Sequence, residues 1–368
     1  MNLILFGHAD HHRTSSDIPN DVIDDIDMDI DIPPDDERTR HILDHLKKTS
    51  GDEVSIGIVD PRGDRGGRGG GGGYRCRASI RTMPNGGVRL VRDPRAVIRD
   101  PPTMPTLTLV LAMPFPSRMR YLWSVISSFE YVTRVILVPS SLSDPEYMKS
   151  TALNPRVYGP LIEGGMSQGG RTRPVRVEIC PMNEIISRTW MERYGLVRGG
   201  GGGEGGGMME GADDDDDDDD GTARIFLDCG DEDAVPPPAR DVVLRHCGKR
   251  DRIVSASSSP DAISHPPSAI MAVGPERGWT DDEARVFVKD CGFRPATLGG
   301  SILRVDAAVV TGLGIVSAAL DECHRNRGEG RTSGGGGERR ESDGGARRES
   351  ETDKRGAMTM ARNHRRFE

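Results

Sequence analysis

Aromatic residues are scarce in this chain: seven Phe, six Tyr and three Trp make only 4% of 368 residues. Any core must therefore be built mainly from aliphatic side chains. Long apolar runs are missing too. The longest, Ala307 to Leu320, has 14 residues interrupted by Thr311 and two glycines, which is too short to span a bilayer. The six cysteines, Cys76, Cys180, Cys229, Cys247, Cys291 and Cys323, stand too far apart for a CxxC metal knuckle or a small disulfide scaffold, so reduced, partly buried thiols are expected. No GxGxxG lies between a first strand and a helix, which sets aside a dinucleotide-binding enzyme. No signal peptide or Arg-rich presequence opens the chain. Met1 to Phe6 reads instead as a first strand, and the cytosol is the expected compartment, with an organelle as the alternative if translation starts upstream.

Glycine and acid are abundant, and both are concentrated. Glycine runs occupy Gly66 to Gly73 and Gly199 to Gly207, and Asp213 to Asp220 is an unbroken acidic run. Such tracts cannot bury enough apolar surface to order themselves, so they read as disordered insertions in surface loops. Asp24 to Ile32 alternates Asp with Ile or Met; an edge strand is one reading, and its charge favours a solvated segment. The formal net charge of −9 misleads. Residues 10–37 carry −10 and the Asp run −8, leaving +9 elsewhere, of which +4 follows Cys323. The folded body is then mildly basic, which permits an RNA partner without requiring one.

Short strands divided by turns, at Leu3 to Phe6, Glu53 to Val59, Tyr74 to Arg81 and Val88 to Val91, suggest a small β-barrel over residues 1–100, with insertions at 10–37 and 64–73. A proline-rich linker around Pro101, Pro102 and Pro105 leads to a second domain, 101–322, where strands and helices alternate as in an α/β fold. Its strands are expected at Leu107 to Ala112, Arg134 to Val138, Val175 to Ile179, Arg224 to Asp228, Asp241 to Leu244 and Ile270 to Val273. A helix is expected at Met119 to Phe129, a disordered insertion at 195–221 and a disordered tail at 323–368.

Within this pattern the stretch from Ala269 to Leu320 stands apart. Ile270 to Val273 breaks at Gly274-Pro275-Glu276-Arg277-Gly278-Trp279-Thr280 and resumes as an N-capped helix from Asp281. A second glycine loop, Leu298-Gly299-Gly300-Ser301-Ile302-Leu303-Arg304, precedes an apolar helix suited to the core or to an interface. Glycine at such corners lets backbone amides approach a small planar ligand, although two ordinary turns would read the same way.

The loops GPERGWTDDE and LGGSILRVDAA resemble the GPEGG(F/L)(S/T)xxE and LGxRILRxET(A) blocks of the SPOUT-class 16S ribosomal-RNA uridine-N3 methyltransferases. Arg38 to Asp52 resembles the RxxHIxxVLRxxxGD segment that opens the PUA-like RNA-binding domain of that family, and Tyr158 to Pro174 its AxEQSxRxxxP block. The resemblance implies a trefoil-knotted α/β domain holding S-adenosylmethionine, preceded by the RNA-binding domain, in a homodimer acting on small-subunit ribosomal RNA. It places cofactor contacts at Gly274, Pro275, Gly278, Leu298, Gly299, Ile302 and Leu303, and RNA contacts at Arg38, Arg40, His41, Arg171 and Arg173. Arg304 would stabilise developing charge, with Glu276 or Asp306 as base or orienting group. The chain departs from the pattern at Arg277, Ser301 and Val305, and Pro114-Phe115-Pro116-Ser117-Arg118 stands where a lysine is usual. Those departures keep a second expectation open, an RNA-binding or ribosome-assembly protein that retained the fold and lost the chemistry.

Overall fold

Alternation of side chains sets the first sheet. In the computed structural model, which describes residues 3–7, 29–59, 73–101, 104–197, 221–228, 235–256 and 266–332, the strands are β1 (Leu3–Gly7), β2 (Ile30–Ile32), β3 (Glu53–Val59), β4 (Tyr74–Thr82), β5 (Val88–Arg92) and β6 (Ile98–Arg99). They pair in the order β1-β3-β4-β5-β2, with β6 on β4. Ile4, Phe6, Ile56, Cys76, Ala78, Ile80, Val88 and Leu90 point to one buried face, as the period of two requires. No ladder joins β1 to β2 among the described residues, so the pairing is that of an open sheet. A short helix, α1 (Glu37–Arg40), runs on as a π turn over His41–His45.

The solvated reading of Asp24 to Ile32 is corrected at its end. Ile30 and Ile32 are buried against β5, while Asp31 points out and pairs with Arg89, so two isoleucines outweigh the charge of the segment. Residues 24–28 of that stretch, residues 66–72 and 199–207 of the glycine runs and the Asp run lie outside the described residues, as does Cys229. The other five cysteines are buried free thiols, and burial pushes Cys76 and Cys291 up to about 11.

The second sheet is parallel throughout, in the order β12-β10-β11-β7-β8-β9. Its strands are β7 (Thr106–Ala112), β8 (Val132–Val138), β9 (Arg176–Ile179), β10 (Thr222–Leu227), β11 (Ser268–Val273) and β12 (Arg294–Ala296). Both faces are covered, which is why these strands read as continuous apolar runs. On one face lie α2 (Pro116–Ser128), α3 (Pro155–Gly169), α5 (Ala239–Ala256) and α7 (Val305–Thr332); on the other lie α4 (Arg188–Arg193) and α6 (Asp281–Arg285), which continues as a π turn over Val286–Asp290. The architecture is α/β, as the sequence leads one to expect. Both sheets lie within one compact unit.

Two further readings change, and one segment left without an element gains one. Asp241 to Leu244 is helix, not strand. Ala239, Val242, Val243 and Cys247 repeat at helical spacing behind Pro238 and are all buried. The helix after the second glycine loop does not stop near Cys323 but reaches Thr332, and its stripe Val305, Val309, Leu313, Val316 and Leu320 is core. Tyr158 to Gly169 belongs to α3 despite its glycines and Pro160. Asn154 caps that helix, and side chains at Gly165 or Gly169 would strike the backbone of α2 at Ser124 and Ser128. Among the described residues no helix is long and apolar enough to cross a membrane.

Candidate active site

All six strands of the second sheet run the same way, so the loops following them gather along one edge. The chain leaves β7 toward β8 on one side and leaves β11 toward β12 on the other, although β7 and β11 are neighbours. Such a reversal opens a crevice at the carboxyl ends of the strands, where open α/β sheets receive ligands. The first glycine loop follows β11 and faces the start of α2, which follows β7. The second glycine loop follows β12.

The first loop is tied down at several points. Glu276 accepts hydrogen bonds from the Phe115 amide at 3.2 Å and from Arg118 Nη1 at 2.8 Å, which bridges the two neighbouring strand ends. Gly278, at φ 77°, takes a left-handed conformation that favours glycine, and its amide closes a turn onto the Pro275 carbonyl at 2.9 Å. Thr280 and Glu283 then form a reciprocal capping box at 2.9 and 3.2 Å. Glu283 also accepts from the Ser141 amide at 2.8 Å, fixing the loop after β8. Ser140, Ser141, Asp144, Met148, Met182 and Ile186 line a small cleft of about 190 Å³ with Glu283 in its wall.

Gly274 answers to a neighbour within the chain. A Cβ there would lie 3.0 Å from Trp279 Cδ1 and Nε1, so the glycine makes room for the indole. Trp279 packs in a cluster with Phe226, Phe287 and Phe293, and its buried Nε1 has no hydrogen-bond acceptor among the described residues.

The second loop is looser. Thr297 Oγ1 bonds both the Gly299 carbonyl at 2.8 Å and the Gly299 amide at 3.1 Å, and beyond that Leu298 and Leu303 are half-buried while Ile302 is 89% exposed. Arg304 forks onto Asp306 through Nε at 3.2 Å and Nη2 at 2.7 Å. The guanidinium holds the Asp306 carboxyl below the usual carboxylate range, and the Arg118 charge acts on it in the same direction. Of the three residues expected from the sequence, Glu276 is thus paired with Arg118 across the two strand ends, and Arg304 and Asp306 are paired with each other. The sequence left Arg118 without a role. The signal was present in the segment that replaces the usual lysine.

The residues expected to meet RNA divide. Arg40 is exposed, and His41 is half-buried with its ring 5.8 Å from that of His45. Arg38 is engaged with Asp36 at 2.8 Å and lies over the Phe6 ring at 4.6 Å. Arg171 is corrected outright. It is 4% exposed and donates to the carbonyls of Ser127, Val132 and Arg173 at 3.0, 2.6 and 3.1 Å, and also to Phe129. Its guanidinium thus satisfies the end of α2 and the start of β8, which removes it from solvent and from RNA. Arg173 is half-buried, and desolvation lowers its pKa.

This edge of the sheet belongs to a recognisable class. Residues 239–317, spanning α5, both glycine loops and the first part of α7, match the RNA methyltransferase domain family. The resemblance to SPOUT-class ribosomal-RNA methyltransferases that the loops carry is thereby borne out. Over 56 residues the chain is 39% identical to Ribosomal RNA small subunit methyltransferase E of Synechocystis sp.; the match takes in 15% of this chain and spans 18% of the length of that relative. A probable rRNA-methyltransferase from Porphyromonas gingivalis shares the fold, with a TM-score of 0.51 and 15% identity over 87% of this chain and 99% of that one. Ribosomal RNA small subunit methyltransferase E from Neisseria gonorrhoeae, crystallised with S-adenosyl methionine, aligns over 86% of this chain and 98% of its own at 15% identity and a TM-score of 0.49.

Proposed function

We propose that the chain is an S-adenosylmethionine-dependent methyltransferase that modifies N3 of a uridine in small-subunit ribosomal RNA. In this reading the first sheet is a PUA-like RNA-binding domain, the second domain carries a trefoil knot, and the working form is a homodimer. One observation carries it: the segment matching the RNA methyltransferase domain holds both the loop at the β7/β11 switch point, which Glu276 ties to Phe115 and Arg118, and the Arg304–Asp306 pair.

The residues fit the cofactor. Gly278 and Gly299 have positive φ and open space where a Cβ would stand, so their backbone is approachable, and Pro275, Leu298 and Leu303 supply apolar lining. S-adenosylmethionine, when bound, supplies an electrophilic methyl group. The protein's part is to remove or weaken the hold on the uridine N3 proton and to receive charge as it spreads onto the neighbouring carbonyl oxygens. Arg304, 69% exposed in its side chain, is free to turn toward that charge. Asp306, held acidic by two arginines, is a poor base and suits orientation. Glu276, anchored by the Phe115 amide and paired with Arg118, is the other candidate acceptor. General base catalysis of this kind contributes on the order of a hundred- to ten-thousandfold.

The test has two stages. Thermal unfolding with S-adenosylmethionine and with its demethylated product should show a rise; ligand at a hundred times Kd stabilises by about 2.7 kcal/mol. Small-subunit ribosomal RNA incubated with protein and cofactor should then yield 3-methyluridine on digestion. A midpoint unmoved at millimolar ligand refutes the cofactor site, and a methyl group on another atom refutes the uridine-N3 assignment.

A further inference from the structure

We infer that the substrate's phosphate backbone docks along an arginine strip on the outward face of the β4–β5 hairpin, made by Arg77, Arg81, Arg89 and Arg95. The identity of the polyanion as RNA rests on the function proposed above; the strip itself rests on geometry.

Residues 74–99 hold seven arginines against one acid, Asp93. Strand alternation sorts them. Tyr74, Cys76, Ala78 and Ile80 face the core, so Arg75, Arg77 and Arg81 face outward, and Arg89 does the same on β5. Register sets Arg81 directly opposite Arg89. Like charges facing each other across a ladder destabilise the sheet, so folding alone gives no reason for the pair. Arg89 is relieved by a fork onto Asp31 at 2.6 and 2.7 Å. Arg81 makes no ion pair among the described residues. Arg77 meets Glu53 at 3.3 Å with the two side chains 68% and 61% exposed, a contact worth little and easily exchanged. Arg95, exposed in the turn after β5, extends the strip. Outward positions on one strand recur every ~6.7 Å, comparable to the phosphate spacing along an RNA strand.

The strip is closed at one end. Arg75 Nη1 donates to the Gly170 carbonyl at 3.3 Å, and Gly57, which faces Arg75 in the ladder, leaves room for Thr172. Gly170 and Thr172 precede β9, so the hairpin abuts the amino-terminal edge of the parallel sheet. The glycine loops occupy the opposite edge, about 23 Å away across the seven residues of β7. RNA anchored on the arginines reaches the loops only when it is long enough to bridge that distance.

The full-length protein with Arg77→Gln, Arg81→Gln and Arg95→Gln tests this. Binding of a labelled ribosomal-RNA fragment of about thirty nucleotides is followed by anisotropy across a salt series. The slope of log affinity against log salt should flatten by about one unit per arginine, roughly three in all, while the unfolding midpoint and its shift with cofactor stay at wild-type values. The triple Arg→Lys variant should keep the wild-type slope. Methyl transfer to the long fragment should fall in kcat/KM, and transfer to a trinucleotide should be equal for variant and wild type. An unchanged slope and affinity in the triple Gln variant overturns the inference, as does a loss that appears instead in Arg40→Gln. A wild-type protein without any cofactor shift refutes the enzyme reading alone, because the salt slopes are read independently of cofactor.

Discussion

Arg171 offers the sharpest stability test, because its role inverts what its sequence suggests. Replacing it by Gln leaves the carbonyls of Ser127, Phe129, Val132 and Arg173 without their shared donor. A buried acceptor left unsatisfied costs about 1–3 kcal/mol. Against this stands relief from burying a guanidinium, a burial strong enough to push its pKa down to about 10. No charge is left behind, so the net cost should be about 2–3 kcal/mol, which in a chain of this size lowers the unfolding midpoint by on the order of 5 °C. Lysine, a point charge without the planar fork, should recover only part of the loss. The proton linkage has a definite sign. The folded state binds the Arg171 proton more weakly than the unfolded state, so this group adds stability only as pH rises from about 10 toward the ordinary arginine value. Between pH 5 and 9 the defect should therefore be independent of pH. Differential scanning calorimetry of Arg171→Gln within 2 °C of wild type, together with a flattened RNA salt slope, would show that Arg171 serves RNA after all.

Three other perturbations probe the candidate site. Thr280→Ala removes the capping box ahead of α6 and should cost about 1 kcal/mol in urea unfolding; an unaltered midpoint would mean that the Glu283 contact with Ser141 alone holds the loop. Gly274→Ala drives a methyl group against the Trp279 indole, so it should destabilise by about 1–3 kcal/mol and shift tryptophan emission. An unshifted spectrum would show that the indole yields without cost. Arg304→Ala should retain the cofactor's thermal shift while slowing methyl transfer on the order of a hundredfold, and it should bring the Asp306 carboxyl back up toward its usual range in an NMR titration. With Arg304 present, the folded Asp306 is the stronger acid, so its stabilising share is full above the unfolded value and is lost as pH falls through the folded one. Undiminished transfer would remove Arg304 from the chemistry.

Much of the second sheet was legible in the sequence because a parallel sheet buries both faces, and runs such as Leu107 to Ala112 and Ile270 to Val273 can be little else. The hairpin Tyr74 to Val91 was legible for the opposite reason, its strict alternation. That the sequence assigned no element to α3 has a physical cause. Its glycines lower helix propensity locally, and only contact with α2 shows that Gly165 and Gly169 admit a close helix crossing. Asp241 to Leu244 was too short a window to separate a strand from part of a helix. The site was half legible. Glu276, Arg304 and Asp306 were singled out by the wording of two loops, and each is ion-paired in the fold, whereas Arg118 and Arg171 exchange meaning: the one without a role pairs with Glu276, and the one assigned to RNA is buried against backbone carbonyls. Guanidinium chemistry is the same in both places, and only burial distinguishes them.

The two glycine loops differ in how much order they already possess, and that difference predicts how ligand binding is distributed between them. Residues 274–280 are held by Phe115, Arg118, the turn at Gly278 and the Thr280 box, so a ligand finds their amides already placed. Residues 298–303 are anchored by Thr297 at one end and enter α7 at the other, with Ile302 turned out to solvent. Burying Ile302 would contribute roughly 1.5–3 kcal/mol, of the same order as the backbone entropy of fixing one or two loop residues. Ordering the second loop should therefore absorb much of the gain from its own contacts, and affinity should come chiefly from the first. Hydrogen exchange should report this directly: cofactor should slow exchange in 298–303 far more than in 274–280, where protection already exists. Ile302→Ala should weaken binding only slightly, whereas Glu276→Gln, by loosening the preformed loop, should weaken it at least tenfold. Equal protection of both loops on binding, or a larger loss from Ile302→Ala, would show that the second loop is as well organised as the first.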